Sequence, residues 1–403
     1  MCKIAFRNIF RHKRRSILTA LTMLGGFVLA AVAIGWADGS YNNIINMFTR
    51  NRLGHIQIHA KGYLDKPSLY KNIEHVDRLG QKIMGIKGVE SWSPRLYSAG
   101  LASAGDKSAA AQIIGIDPDK ENAATHFDRK VTTGSPLSRS PAGEVLLGKG
   151  LARMLHAHVG DEVVIVSQAA DGSLANELYR MTGIVESGDE GQDRTAFYLH
   201  LADAQELLVM EGRVHEVVII AERLNRVRAL SRQIEQAIDR PDLVVEPWQE
   251  FAKSFYTAMK ADKMGNWIMI FIIILIVAIG VLNTVLMSVL ERQREYGVLK
   301  ALGTRPRQIL ALVIYEINML AILSIAAGSG LAYGANKWLS LHGITLSEPF
   351  SYGGMTFHTL YSMVNLKSFL VPALAVLGTA TLVSLLPAVK AARTVPAKTM
   401  RAV

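Results

Sequence analysis

Three long stretches of this chain carry no charge at all, and that constrains it more than anything else in the sequence. Between Arg15 and Asp38, between Lys263 and Glu291, and between Lys367 and Lys390, there is no Asp, Glu, Lys or Arg for 22, 27 and 22 residues. At about 1.5 Å rise per residue, each run reaches roughly 30 Å or more, the thickness of a bilayer core. A fourth stretch, Ile309 to Tyr333, is interrupted only by Glu316. Buried helices of soluble proteins keep a polar stripe for water, and these stretches have none. The expectation is four transmembrane helices.

The cations fix the orientation, because Lys and Arg beside a span are retained on the cytoplasmic side. Residues 1–15, 291–308 and 387–403 together hold fifteen bases and two acids, net +13, whereas the whole chain is only +10. The rest is therefore net −3, and the basic balance is a topology signal. A nucleic-acid footprint would instead need cations clustered on one folded domain. Both termini and the 291–308 loop are expected in the cytoplasm, with 38–263 and 335–368 outside. The competing reading, a signal peptide cleaved near Ala31-Val32-Ala33, is disfavoured because its apolar region would be too long. Cys2 is the sole cysteine. It precedes every apolar run, so it is not a lipid-modified cysteine after a signal, and no intrachain disulfide can form.

The insertion of about 200 residues is long enough to bury its own core. Ile56 and Ile58 alternate with His55, Gln57 and His59 as in a half-buried strand. Residues 112–116, 145–147, 163–166, 197–199, 217–220 and 243–245 read as further strands. Val227, Leu230, Ile234 and Ile238 recur at helical spacing, with Asn225 placed to cap. The fold class expected is therefore an α-helical membrane protein with four transmembrane helices plus a mixed α/β extracytoplasmic domain inserted between helices 1 and 2. That domain could have two lobes, joined near residue 105 and returning near 200. The segment reading is 1–15 cytoplasmic, 16–37 first span, 38–263 external domain with stalk helices, 264–290 second span, 291–308 cytoplasmic coupling segment, 309–334 third span, 335–368 external loop, 369–386 fourth span and 387–403 cytoplasmic tail.

Tyr41, Ile44, Ile45, Phe48 and Arg52 continue helical spacing beyond the first span, and Phe251, Phe255, Met259 and Met264 do so before the second. These read as stalk helices packed on each other. Ile44, Ile45, Phe48, Phe251, Phe255 and Met259 are also candidates to line an apolar cavity for acyl chains at the outer leaflet. No G-x-x-x-x-G-K-[ST] run and no G-x-S-x-G elbow occurs. The pairs His55/His59 and His156/His158 lack a cysteine or carboxylate at ligand spacing and read as surface histidines, so no metal site is expected.

The start Ala5-Phe-Arg-Asn-Ile-Phe-Arg-His-Lys-Arg-Arg15, the loop Glu291 to Gly303 with Arg305-Pro-Arg-Gln-Ile309, and the end Leu386-Pro-Ala-Val-Lys-Ala-Ala-Arg393 resemble FtsX-like, MacB-type permeases of ABC transporters. Within the insertion, Glu144 to Arg153, Val159-Gly-Asp-Glu-Val163, Asp193 to Tyr198, Asp203-Ala-Gln205 and Val245-Glu-Pro-Trp-Gln249 look like the lipoprotein-releasing branch. Little in residues 60–140 matches the family pattern. The resemblance implies a plasma-membrane permease paired with a second copy or paralogue on two separate ATP-binding subunits. Those subunits would hold ATP and Mg, this chain carrying no cofactor. Their closure would move the external domain, releasing a lipoprotein or lipid substrate to a periplasmic carrier. FtsX-like signalling to an external hydrolase and MacB-like efflux remain the alternatives.

Contact with the motor is expected along Glu291, Arg294, Glu295, Gly297, Val298, Leu299, Lys300, Ala301, Leu302 and Gly303, a short helix whose apolar residues among charges ask for a docking partner. Glu316, a carboxylate about two turns inside a span, costs on the order of 3 kcal/mol unless paired, so it should face the bundle and meet a partner near the cytoplasmic helix ends. Ala326, Gly330 and Gly334 recur every four residues and predict a close-packing helix face.

Overall fold

The computed structural model describes residues 13–352 and 355–393. The chain forms two compact units, a helical one (Met1–Asn43, Met259–Leu346, Thr359–Val403) and an α/β one (Ile44–Ala258, Ser347–His358).

Helix α1 (Lys13–Phe48) ends in a π-helical turn, Thr49–Leu53. Then come β1 (Ile56–Ala60), β2 (Ile73–Glu74), α2 (Val76–Met84), β3 (Val89–Ala104), β4 (Lys107–Ile116), α3 (Pro118–Thr125), β5 (Val131–Gly134), β6 (Glu144–Gly148) and α4 (Lys149–Leu155). The chain continues through β7 (Glu162–Gln168), β8 (Leu174–Val185), α5 (Glu190–Asp193), β9 (Ala196–His200), α6 (Leu201–Leu207), β10 (Arg213–Val214), β11 (Glu216–Ala221), α7 (Val227–Ile238), β12 (Leu243–Pro247) and α8 (Trp248–Phe251). It closes with α9 (Lys253–Glu291), α10 (Gln293–Ala301), α11 (Pro306–His342), the hairpin β13 (Ile344–Tyr352) and β14 (Met355–Leu360), and α12 (Lys367–Ala392).

Among the described residues, four helices, α1, α9, α11 and α12, are long and apolar enough to cross a membrane. All but α12 continue well past the charge-free runs that mark them in the sequence. They share a core in which Val277, Val281, Val285 and Val289 of α9 form a stripe at four-residue steps, packed with Met23, Phe27, Ile309, Val313, Ile317, Val376 and Ala380. β-branched residues at that spacing present a stiff, narrow ridge, since their χ1 is restricted in a helix.

Within this chain, the close packing of α11 runs along a different face from the Ala326, Gly330 and Gly334 stripe. Ala326, Gly330 and Gly334 are exposed, and among the described residues nothing lies within 4 Å of a side chain built at Gly330 or Gly334. The helix instead buries Ser324, Gly328, Ala332 and Asn336. A Cβ on Gly328 would come within 2.8 Å of the Phe27 ring. Ser324 Oγ donates to the Ala20 carbonyl at 3.0 Å, and Asn336 Nδ2 donates to Ala31 at 3.2 Å. Both stripes satisfy the small-residue pattern, but only the buried one also carries polar side chains that find backbone partners across the interface.

In the α/β unit, ten strands form one sheet of order β12-β1-β11-β3-β4-β9-β6-β8-β5, and β7 pairs with both β3 and β8. The circuit β3-β4-β9-β6-β8-β7 therefore closes on itself. Its interior is filled by Leu96, Ala102, Ile113, Val145, Leu147, Val163, Ile165, Met181, Phe197 and Leu199. Strand β3 serves two neighbours on one edge, β11 along 89–95 and β7 along 100–103. Residue 105 is thus no domain join; it lies in the tight turn of the β3–β4 hairpin, and β9 near residue 200 belongs to the same sheet.

Two further expectations change. β1 is flanked by β11 and β12 and buried on both faces, so His55 and His59 are core residues at 3% and 2% exposure, while His156 and His158 are exposed. Burial pulls the His55 imidazole down to about 4, keeping it neutral. Helix α7 starts from Arg226 with no side-chain cap, because Asn225 lies within a preceding 3-10 turn, Leu224–Arg226.

Candidate functional site

The segment that joins α9 to α11 is the candidate site in the helical unit. Helix α10 is short, and its two faces differ sharply. Tyr296 and Gly297 are buried, Tyr296 at 1% exposure. On the other side Val298 and Leu302 stand 48% and 79% exposed, beside exposed Arg294, Ala301 and Gly303. Leucine left in that state on a nine-residue helix is a surface awaiting cover. Gly303 ends the segment at φ +93°, a left-handed conformation that a side chain would strain.

What fixes α10 to the spans is Arg292, which the sequence reading passed over. Its Nη1 donates to both carboxylate oxygens of Glu316, at 3.0 and 2.9 Å, and its Nε donates to Glu295 at 2.9 Å. Arg292 is 5% exposed and Glu316 8%. The ring of Tyr296 lies 5.4 Å beneath the guanidinium. Burial alone would depress Arg292, but Tyr296, Glu316 and Glu295 together hold it above its ordinary value. Burial also pushes the Tyr296 phenol up to about 12. Lys300 adds a second tie, donating to the Ala392 carbonyl at the end of α12 at 2.8 Å.

Of the residues expected to meet a motor, the structure gathers Glu295 with Glu316 on one guanidinium, and it leaves Arg294, Val298, Ala301, Leu302 and Gly303 on the open side. Glu291 closes α9 and is exposed, and Leu299 is half-buried. Two signals in the sequence do point to Arg292. It is the first cation after the second span, and Glu316 is the one acid inside a span, which a buried carboxylate cannot be without a partner.

The stalk residues considered for an apolar cavity pack on one another within this chain. Phe48 and Phe255 stack on each other with ring centroids 3.7 Å apart and planes 4° from parallel. Trp248 and Tyr352 meet the Phe255 ring edge-on. Ile44, Ile45, Phe48 and Phe255 are all buried, and Phe251 is half-buried. Rings with free faces would line a void, whereas these spend their faces on one another, so they form a packed stem at the base of the α/β unit. Met259 is buried too, but belongs to the helical unit.

Comparison with known proteins agrees with this architecture. Residues 16–237 match the family model of the MacB-like periplasmic core domain, and residues 267–396 match that of the FtsX-like permease C-terminal region. The lipoprotein-releasing system transmembrane protein LolC of Neisseria meningitidis is 23% identical over 418 aligned residues, covering 99% of this chain and 98% of its own. The corresponding LolE protein of Haemophilus influenzae is 22% identical over 408, covering 97% and 96%. The macrolide export ATP-binding/permease protein MacB of Campylobacter jejuni is 23% identical over 348, covering 81% of this chain and 52% of its own. With an FtsX-like C-terminal region, a MacB-like core domain spanning more than half its length and four candidate membrane helices among the described residues, this chain belongs to the FtsX-like, MacB-type family of ABC transporter permeases.

Proposed function

We propose that this chain is a permease subunit that turns ATP hydrolysis in separate ATP-binding subunits into motion of its extracytoplasmic α/β unit, and that the work done is release of lipoproteins from the outer leaflet of the bacterial inner membrane. The observation that carries this reading is α10, an apolar surface clamped through Arg292 to a carboxylate inside a span. A push on such a helix is passed to the bundle. The cation distribution supports placing α10 and both termini in the cytoplasm. Alignment with lipoprotein-releasing permeases over nearly the whole chain supports the cargo class. The permease would act beside a second copy or a paralogue, with a soluble carrier receiving the cargo.

The test is reconstitution with the ATP-binding subunits in proteoliposomes carrying an acylated lipoprotein. ATP-dependent transfer of that lipoprotein to the soluble fraction, lost when the acyl chains are removed, is the expected result; ATP turnover with no transfer refutes the cargo. The likeness to MacB favours a second reading, an efflux driver, which the same vesicles test by ATP-dependent movement of a macrolide.

A further inference from the structure

The place where α1 becomes the sheet is built unlike any other junction in the α/β unit. Thr49–Leu53 is a π-helical turn, a rare geometry that leaves extra backbone carbonyls without helical partners. Five side chains from elsewhere take up that turn. Arg50 pairs with Glu90 of β3. The carbonyl of Asn51 accepts from Lys130 Nζ. That of Arg52 accepts from Arg95 Nη2 at 2.7 Å. The Arg52 guanidinium pairs with Asp189, in the loop before α5. Gln57 of β1 donates to the Leu53 carbonyl at 2.7 Å.

Arg95 stands at the centre. Its Nε and Nη2 donate to Glu121 of α3 at 3.1 and 2.7 Å, and its Nη1 donates to Glu216 of β11 at 3.2 Å. Glu216 in turn meets His59 of β1 at 3.3 Å, and Glu121 accepts from Ser93 and Thr125, each at 2.7 Å. Arg95, Glu121, Glu216 and His59 are all at least nine-tenths buried. Three strands and a helix are thus tied to one backbone carbonyl of the π turn by buried charges, and a network in which Arg95 bonds both Glu121 and Glu216 resists bending.

We propose that this network is a clamp that makes the end of α1 and the sheet move as one body, with Arg95 and Lys130 as its positioning residues. The proposal rests on the coupling reading above and deepens it, because a stalk can deliver a stroke only if its upper joint does not bend. Arg95 sets the core of the clamp, while Lys130, Arg52 and Asp189 hold its outer side. Removing an outer member would loosen the joint without uncovering the Glu121 and Glu216 carboxylates.

The experiment uses the full chain assembled with its ATP-binding subunits in nanodiscs, with Cys2→Ser as the parent. Spin labels at the exposed positions Asn46 and Asn176 report on the joint, and labels at Asn176 and the exposed Lys337 report on the stroke. In the parent, the joint distance is expected to stay single and unchanged between the nucleotide-free and ATP–vanadate states, while the stroke distance shifts. In Lys130→Met and in Arg52→Met, each expected to keep parental ATP turnover and protease resistance, the joint distribution broadens and more than half of the stroke shift is lost; Lys130→Arg restores both. A joint distance that itself shifts with nucleotide in the parent, or a full stroke in both variants, overturns the clamp. Should one variant not fold, the other decides. A stroke distance that never responds in the parent refutes the coupling reading instead, and broadening of the joint pair still judges the clamp by itself.

Discussion

Replacement of Arg292 puts the anchoring of α10 to its sharpest test. The guanidinium makes three bonds to two carboxylates, and the side chains of Arg292 and Glu316 are 6% and 11% exposed. Arg292→Met leaves Glu316 enclosed without a counter-charge, and breaking a buried pair in this way costs about 3–5 kcal/mol. Glu316→Leu leaves the cation to Glu295 alone, which is more exposed, and costs somewhat less. Replacing both partners with apolar groups removes the uncompensated charge, so the double variant should recover about 2 kcal/mol or more relative to the sum of the singles. Steric-trapping measurements of the unfolding free energy of the full chain in detergent read each corner of this cycle. Losses that add to within about 0.5 kcal/mol would refute a coupled pair. The double variant, though stable again, should still fail to stimulate ATP hydrolysis, because α10 has lost its tie to the span.

Three further outcomes follow from the geometry. Leu302→Asp alters only an exposed side chain, Glu295→Lys sets a cation against Arg292, and Gly303→Asp adds about 1 kcal/mol of left-handed backbone strain; all three should leave insertion intact and abolish stimulated ATP hydrolysis, and wild-type stimulation would exclude α10 as the contact. Phe48→Ala removes half of a buried stack and should destabilise the α/β unit by about 3–5 kcal/mol, read as accelerated proteolysis of the stem, whereas an unchanged rate would show that the rings are not load-bearing packing. Burial holds the Lys130 ammonium down at about 8, with Glu121 and Asp193 opposing that and Arg95 and Arg52 adding to it. Between that value and the ordinary 10.5 the unfolded chain binds more protons, so stability of the unit should rise with pH from about 8 upwards, and Lys130→Met should flatten that rise in thermal melts.

Much of the α/β unit was legible strand by strand, because 145–147, 197–199 and 217–220 are apolar runs whose signal is local. Strand β3 was not. Its Ser, Pro, Gly and Ala residues give no local strand signal, and it is a strand because β4, β7 and β11 pair with it. The clamp was invisible for the same reason: Arg95, Glu121 and Glu216 are far apart in the chain, and Lys130 and Asn51 have no motif. The stalk positions Phe48 and Phe255 were legible too, but that their rings stack face to face was not, since helical spacing says which side chains share a face and not what covers that face.

The sequence by itself determined that the chain crosses a membrane, how many helices can do so, and that a large domain is inserted between the first two. A span and a flanking cation bias are properties of consecutive residues, and the bilayer reads them one segment at a time. Only the tertiary structure decided that Arg292 answers Glu316, that α11 packs through Ser324, Gly328, Ala332 and Asn336, and that six strands close into a ring with a charged clamp beside it. Each of these is a choice among partners distant along the chain. Such choices are settled by which buried charge and which close contact can be satisfied at the same time.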